Sequence, residues 1–314
     1  MAQWVPFWPQ SAAQSAGVVD RIVIAELALI GLVMFLVLFM MLRYCIRYRQ
    51  GSTRERKAVG SGSWHVEIGW TAATLVGFFV LFGFGANAYL FLYKTPARAD
   101  LEIFVVGKQW MWKVQHPGGQ REIDAMHLPV DRTVRVILAS QDVIHSFFIP
   151  AFRLKHDVVP GQFESFWFRP TRIGSFRLEC SEFCGTDHAH MTGTVTVMSQ
   201  SDYARWLNDQ GVSGSLAEQG RAVFERFGCS GCHDARSSTH APLLTGLYGS
   251  VVQLADGSAV IADERYIRDC ILLPARQRVA GYPPVMPSFA GQLSEEDLVR
   301  LLAYLQSLSQ GATP

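Results

Sequence analysis

With 314 residues, the chain is long enough for two domains of ordinary size, and its formal net charge at pH 7 is only +1. No basic stripe accompanies this balance, so nucleic acid is excluded as an expected partner. Hydrophobic residues form 49% of the chain, and nearly all of the excess lies before residue 95. The composition therefore predicts a membrane segment near the N-terminus.

Two apolar runs, residues 22–42 and 68–93, exceed the roughly 20 residues needed to cross a bilayer. The first run carries one ionisable residue, Glu26, and the second carries none. Because buried core helices rarely extend so far without charge, we predict a transmembrane helical hairpin, in contact with membrane lipid, within residues 1–95. A cleaved signal peptide is a weaker alternative for the first run, since no Lys or Arg precedes Arg21.

The segment between the two runs is strongly basic. Glu55 is its one acid, and its basic residues are Arg43, Arg47, Arg49, Arg54, Arg56 and Lys57. By the positive-inside rule this loop is cytoplasmic. The N-terminus and everything after Lys94 are then expected on the periplasmic side of a bacterial inner membrane.

Residues 96–200 are expected to form an all-β domain. Short β-branched and aromatic segments alternate there with turns rich in Pro, Gly and Asp, which predicts a compact sandwich or barrel. Residues 201–214 contain a short helical piece and the flexible sequence GVSGS, and are interpreted as a linker.

Residues 215–314 predict a small helical domain. Ser215 and Glu218 have capping-box spacing before a helix that ends at Gly228, and Ser294 precedes a second helix. The second helix has acids in its first turn and leucines along one face.

The sequence CSGCH at residues 229–233 has the spacing of covalent c-type haem attachment. Cys229 and Cys232 can reach the two vinyl groups of one haem edge, and His233 is placed to ligate the iron. A thioredoxin-like cysteine pair is the alternative, but the following His and the absent βαβ pattern argue against it. Met286, between prolines, is the candidate sixth ligand, although it could instead pack in the core. His240 is a rival ligand.

This C-terminal domain resembles class I cytochrome c over nearly its whole length. The resemblance rests on CSGCH, on the sequence APLLTGLYG and on Met286. It implies that Pro242 and Leu243 pack against the histidine side of the haem. Cys270 is interpreted as a small buried hydrophobic residue.

The sequence CSEFCGTDHAHM, residues 180–191, concentrates metal-binding side chains, and DVIHSFFIP lies some 35 residues upstream. A disulfide between Cys180 and Cys184 would suit an oxidising compartment, and a zinc site is a second alternative. Two thiolates, two imidazoles and a thioether suit copper better, because a soft thioether adds little to zinc binding.

The motif resembles the binuclear copper centre, CuA, of subunit II of haem-copper oxidases, and the likeness extends from about residue 20 to 200. It implies a cupredoxin-like barrel behind two membrane helices. The ligands carried over residue by residue are Cys180 and Cys184 as bridging thiolates, His145 and His188 as terminal imidazoles, Met191, and the backbone carbonyl of Glu182. The Glu182 side chain matches an acid that helps bind magnesium at the boundary with subunit I, or it is a solvated loop acid. His127, His156 and His190 are expected at the surface.

Two further residues have counterparts in that family. Trp110 matches the tryptophan through which electrons enter from soluble cytochrome c, although Met111 stands where tyrosine is usual; buried strand aromatics are the alternative. Glu67 matches a glutamate near the mouth of a proton pathway in subunit I, or is a plain helix-end residue.

Together these resemblances predict a multidomain membrane protein: a two-helix hairpin, a cupredoxin-like barrel, and a small all-α cytochrome c domain. The implied function is the electron inlet of a caa-type cytochrome c oxidase, which passes electrons from its own haem c through CuA to subunit I. Subunit III and an upstream cytochrome c or quinol–cytochrome c reductase are the other implied partners. The alternatives are the corresponding subunit of a CuA-containing nitric oxide reductase, or a membrane-tethered haem and copper protein that shuttles electrons or delivers copper.

Overall fold

The computed structural model describes residues 8–55, 64–93, 98–210, 214–235, 237, 239 and 241–310. Arg56, Lys57 and His240 lie outside these ranges. The chain divides into two compact units, residues 15–94 and the remainder of the chain.

The first unit contains the two predicted membrane helices, α1 (Gln14–Arg47) and α2 (Trp64–Tyr93). Both are long and apolar enough to cross a membrane. Each helix extends beyond its apolar run, because backbone hydrogen bonding continues into polar flanking residues that do not contact hydrocarbon. Glu67 lies in the first turn of α2.

The second unit begins with two five-stranded sheets, which confirms the predicted cupredoxin-like β-domain. The first sheet has the strand order β3-β2-β1-β5-β8, formed by β1 (Leu101–Lys108), β2 (Met111–Gln115), β3 (Arg121–Ile123), β5 (Val134–Ser140) and β8 (Glu164–Phe168). The second has the order β4-β10-β9-β6-β7, formed by β4 (Ala125–Pro129), β6 (His145–Ile149), β7 (Leu154–Val158), β9 (Gly174–Cys180) and β10 (Thr192–Met198).

The first sheet is buried on both of its faces along strands β1 and β5. Ile103 and Val105 point into the core between the sheets, as do Val136 and Leu138 on β5. The alternate residues of the same strands belong to a second core shared with the C-terminal helices, and they are Phe104, Val106, Ile137 and Ala139. This double burial explains why both strands are nearly continuous apolar runs rather than alternating ones.

The C-terminal part is mainly helical, as predicted. It contains α3 (Gln200–Asp209), α4 (Leu216–Arg226), α5 (Ser230–His233), α6 (Glu264–Leu272) and α7 (Glu295–Gln310). Ser215 and Glu218 form the predicted capping box, and the Asp297 backbone N–H donates to the Ser294 hydroxyl. A small hairpin of β11 (Val251–Gln253) and β12 (Ala259–Ile261) was not predicted from the sequence, although its connection includes Gly257 at φ +87°.

Helix α3 lies within the predicted linker and packs on the β-domain. Its Tyr203 hydroxyl donates to Nδ1 of the fully buried His116, and Trp206 stacks on His127 with ring centroids 4.6 Å apart. Glu122 accepts hydrogen bonds from both histidines, so both ring nitrogens of the buried His116 have a partner. The cluster holds α3 against strands β2 to β4.

Candidate metal centre and haem cavity

Strand pairing brings the two halves of the predicted copper motif together. His145 begins β6, and Cys180 ends β9, which pairs with β6 through Phe147 opposite Cys180. The loop after β9 then folds back through a short 3-10 turn at His188–His190 and enters β10 at Thr192. Cys180 donates its backbone N–H to the Met191 carbonyl, which closes this loop.

All the predicted copper ligands surround the two sulfur atoms. Cys180 Sγ lies 3.8 Å from Cys184 Sγ, 3.9 Å from His145 Nδ1 and 3.3 Å from the Glu182 carbonyl oxygen. Cys184 Sγ lies 3.4 Å from His188 Nδ1 and 3.7 Å from Met191 Sδ. Both cysteines are free thiols in the structure. Each sulfur therefore has one imidazole neighbour. The Glu182 carbonyl contacts the Cys180 sulfur, and the Met191 thioether contacts the Cys184 sulfur.

The centre is largely shielded from solvent. His145 and Met191 are fully buried, and Cys184 and Cys180 are 3% and 9% exposed. His188 is half-buried, and the side chains of Glu182 and Phe183 project into solvent, with Phe183 77% exposed. The buried donors favour a desolvated metal, while one side of the loop remains open to a partner.

The two thiols differ in acidity. Burial alone would raise the pKa of Cys180, but hydrogen bonds with His145 and with backbone groups lower it to about 6. Burial and the negative charge of Cys180 raise the pKa of Cys184. Burial would lower the pKa of His145, but the contacts of its ring with the Cys180 sulfur and with the Asp142 carboxylate raise that pKa. Cys180 is thus the more acidic of the two thiols, because the neighbouring imidazole stabilises its thiolate form.

Two residues that the sequence analysis did not single out support the ligands. His145 Nε2 donates to Asp142 Oδ1 at 2.8 Å, which leaves Nδ1 directed at Cys180. The backbone N–H of Gln109 donates to the other Asp142 oxygen at 2.8 Å, and the Gln109 side chain donates to the Cys184 carbonyl at 2.7 Å. Gln109 therefore connects the two ligand segments. The signal available in the sequence was the spacing D-x-x-H, in which Asp142 precedes His145 by three residues.

Trp110 lies against the same loop. Its indole Nε1 donates to the Cys184 carbonyl at 3.3 Å. Gly185 has φ +121°, and a Cβ there would lie 2.8 Å from the Gln109 amide nitrogen and 3.2 Å from the Trp110 ring. Glycine at this position thus permits the close approach of both side chains.

The chemistry of the donor set fits copper. Two thiols 3.8 Å apart can both bridge a metal pair, and each sulfur already faces an imidazole through Nδ1. The thioether Met191 favours a soft metal over zinc. His145, Cys180 and Cys184 form a buried group whose ligand atoms lie within 4.8 Å of one another.

The four predicted haem residues line one cavity of about 680 Å³ in the helical domain. Cys229 and Cys232 lie on its wall with His233, and Met286 is on the segment that leads toward α7. His233 Nδ1 donates to the Pro242 carbonyl at 2.8 Å, which leaves Nε2 available for iron. The remaining lining residues are mostly apolar. They include Cys270, and burial raises the pKa of its thiol. The cavity therefore fits a covalently attached haem.

The other predicted residues are not part of these sites. His190 is exposed beside Asp187, as expected. His127 and His156, also expected at the surface, are half-buried instead, because Trp206 stacks on His127 and Phe166 covers His156.

Comparison with known proteins identifies the family. Residues 119–198 match the family described as cytochrome c oxidase subunit II, periplasmic domain, and residues 217–309 match cytochrome c. Cytochrome c oxidase subunit 2 from Alkalihalophilus pseudofirmus is 30% identical, over 94% of this chain and 88% of its own length. The chain belongs to the cytochrome c oxidase subunit 2 family.

The chain is also similar to two further proteins. An alternative cytochrome c oxidase subunit 2 from Bradyrhizobium diazoefficiens is 28% identical, over 71% of this chain and 91% of its own length. The crystal structure of the periplasmic domain of subunit II of cytochrome oxidase from Bradyrhizobium japonicum is 33% identical, with a TM-score of 0.36, and covers 37% of this chain and 96% of that one.

Membership fixes the coarse function. The chain is the subunit II component of a haem-copper oxidase, an oxidoreductase, and it has an electron-transfer role. The family implies copper in the β-domain, haem in the C-terminal domain, and a subunit I partner. The two apolar helices and the periplasmic-domain match indicate a membrane-anchored chain whose outer domains are periplasmic.

Proposed function

We propose that this chain is the electron inlet of a caa-type oxidase, accepting electrons at its own haem c and passing them through a binuclear CuA centre to subunit I. The observation that carries the proposal is the contact of two imidazoles, a thioether and a carbonyl with a pair of free, buried thiols. A haem-type cavity in the same compact unit supports an internal donor.

In this proposal the Cys180 and Cys184 thiolates would hold the copper pair together with the His145 and His188 imidazoles, the Met191 thioether and the Glu182 carbonyl. A bridged copper pair spreads one electron over both metals, so that little geometry changes on reduction. The protein contribution is rigidity. Asp142 fixes the His145 ring, and Gln109 and Trp110 hold the Cys184 carbonyl.

The haem ligands are proposed to be His233 and Met286, with thioether bonds from Cys229 and Cys232. Haem with one imidazole and one thioether ligand supplies a high reduction potential, which suits an electron carrier. The Pro242 carbonyl orients His233 by accepting its Nδ1 proton.

Trp110 is proposed as the residue through which an external cytochrome c can still deliver electrons. Its indole is hydrogen-bonded to the carbonyl of a ligand residue, Cys184, which supports a short path from the ring to the sulfur. A haem carried on the same chain has an effective concentration in roughly the millimolar range, so this route becomes secondary.

The remaining assignments concern partners and membrane topology. The exposed Glu182 carboxylate is proposed to bind magnesium with ligands from subunit I, and Glu67 is proposed to lie at the mouth of a proton pathway. We also propose contacts with subunit III and lipid, a cytochrome c or quinol–cytochrome c reductase as donor, and a cytoplasmic position for the basic segment between α1 and α2.

The deciding experiment measures copper per haem and low-temperature EPR on the purified chain. Two coppers per haem with hyperfine structure from one electron shared by both are expected. One copper, or zinc, would contradict the proposal. Oxygen and nitric oxide consumption by the purified complex then distinguishes the oxidase from a nitric oxide reductase.

A further inference from the structure

The outer face of the first sheet is covered by the helical domain. Phe104, Val106 and Ile137 project from β1 and β5 and share one apolar core with α6 and α7, including Tyr266 and Leu302. Because the residues of this contact are apolar and buried, it resembles a permanent protein interface more than a transient one.

Two arginines, one buried and one half-buried, connect the two domains within this interface. Arg135 of β5, with its side chain 19% exposed, forms an ion pair with Glu264 of α6 and donates to the Tyr248 hydroxyl at 2.9 Å. In the opposite direction Arg268 of α6, 5% exposed, donates to the Gly161 carbonyl at 2.6 Å. Separating the domains would leave Arg135 without the Glu264 carboxylate and Arg268 without the Gly161 carbonyl, while the ion pair of Arg268 with Glu295 of α7 would remain within the helical domain.

Contacts at both ends of α7 fix its direction along β1. Near its start, Glu296 pairs with Lys113 at 2.5 Å, and near its end Gln306 donates to Glu102 at 2.8 Å. Lys113 lies opposite Val106 in the β1–β2 ladder, whereas Glu102 is near the beginning of β1. Helix α7 therefore runs antiparallel to β1, with its first turn beside the end of β1.

That end of β1 is the copper end. A Cβ placed on Gly107 would lie 3.0 Å from the His145 ring, so the proposed copper ligand packs directly on this residue. The Met286 segment enters α7 at the same end. Arg226, at the end of α4 and three residues before Cys229, lies 3.2 Å from Asp297 in the first turn of α7. The segment that leads to Cys229 and the segment that follows Met286 therefore both lie near the copper end of the sheet.

We propose that the haem domain is a permanently docked internal donor, held by Arg135 and the shared apolar core in the orientation that turns its haem cavity to the copper end of β1. Arg135 acts as a positioning residue: it touches neither the cavity nor the copper ligands and orients one domain on the other. The inference rests on the proposed electron relay for its purpose, but the docking itself requires no cofactor.

The first test places a cleavage site for a sequence-specific protease at residues 211–213 of the full chain in detergent. After cleavage of the copper-free chain with haem attached, we expect the haem domain to co-elute with the membrane part in gel filtration. Separate elution of the cleaved wild-type haem domain would overturn the proposal, and this outcome depends on no variant.

The second test uses variants at the interface. Arg135→Glu is expected to abolish co-elution after cleavage, and Arg135→Lys to restore part of it, since Lys keeps the charge but loses the forked hydrogen bonds. The matched control is Arg132→Glu, because Arg132 pairs with Asp100 on the surface of the β-domain with 48% and 44% of the side chains exposed. Equal behaviour of Arg135→Glu and Arg132→Glu would overturn the role of Arg135.

The third test measures electron transfer from haem to copper in the loaded full chain. A docked donor gives a rate that is independent of solvent viscosity, and Arg135→Glu is expected to slow it by roughly 10²-fold and make it viscosity-dependent, without moving either potential. A wild-type rate that falls in proportion to viscosity would indicate a swinging domain and overturn the proposal. If EPR instead shows no copper pair, the proposed relay fails, while the co-elution result still decides the docking.

Discussion

Gly220 is expected to be the least replaceable glycine of the haem domain. It lies at the crossing of α4 and α7, and a Cβ at this position would lie 1.9 Å from the Arg300 carbonyl oxygen and 2.8 Å from Tyr304 Cβ. Real Cβ contacts are not shorter than 3.0 Å, so Gly220→Ala must separate the helices by about 1.1 Å, the difference between 3.0 and 1.9 Å. The obstructing atom is helix backbone and cannot rotate away.

The cost follows from packing. Overpacking of a core typically costs about 1–3 kcal/mol, and we expect about 3 kcal/mol here because backbone meets backbone. Without the clash the same substitution would stabilise a helix by about 1 kcal/mol, so the sign of the effect separates the two explanations. With a urea slope of about 1–3 kcal/mol/M, the unfolding midpoint should fall by about 1 M or more.

The assay is urea unfolding of the haem-loaded chain, followed by haem absorbance. The matched control is Gly231→Ala, since Gly231 is also helical and a Cβ there would meet nothing within 4 Å. Equal midpoints for the two variants would refute the close helix crossing. A lower unfolding midpoint for Gly220→Ala alone would support the close crossing. Because the clash displaces α7, this variant should also weaken the contacts that Glu296 and Gln306 of α7 make with the β-domain.

Four other outcomes are expected. His145→Ala should abolish the mixed-valence copper signal in EPR while the haem stays attached; survival of the signal would mean that the upstream ligand is another residue. Met286→Leu should lower the haem midpoint potential sharply in a redox titration, because the soft thioether that favours reduced iron is lost, and an unchanged potential would remove Met286 as ligand. Trp110→Phe should reduce oxygen turnover less in this chain than in an oxidase without a fused haem, whereas a collapse to near zero would favour docking of an external donor at Trp110. In the reduced, copper-free chain, alkylation of Cys180 should rise through pH 6 and level off above it, because the thiolate is the nucleophile and hydrogen bonds outweigh burial to lower its pKa to about 6. Cys184 should remain unmodified at pH 7 by peptide mass spectrometry, since burial and the Cys180 charge raise its pKa, and equal labelling of both thiols would contradict this account.

Local patterns in the sequence were sufficient for the parts of the protein that depend on neighbouring residues. The two membrane helices follow from apolar runs longer than a bilayer, and the capping box at Ser215 follows from a three-residue spacing. The ligand types and spacing in residues 180–191 also indicated a metal chemistry, because side-chain softness is a property of each residue.

Supporting contacts could not be predicted in the same way. Gln109 reaches the Cys184 carbonyl across 75 positions of sequence, and only the pairing of strands makes that approach possible. Helix α3, which lies in the expected linker, packs on the β-domain for the same reason. Its Tyr203 hydroxyl donates a hydrogen bond to His116, a residue that the folding of the β-domain buries.

The sequence by itself determined the membrane helices, the β-rich and helical character of the two outer domains, the caps and the kinds of ligand, since each depends on residues a few positions apart. Only the tertiary structure decided where the haem domain sits. The apolar runs of β1 and β5 indicated burial on both faces but not what covers the second face. That choice depends on Arg135 meeting Glu264 from another domain, a contact between residues 129 positions apart (264 − 135) that no local pattern encodes.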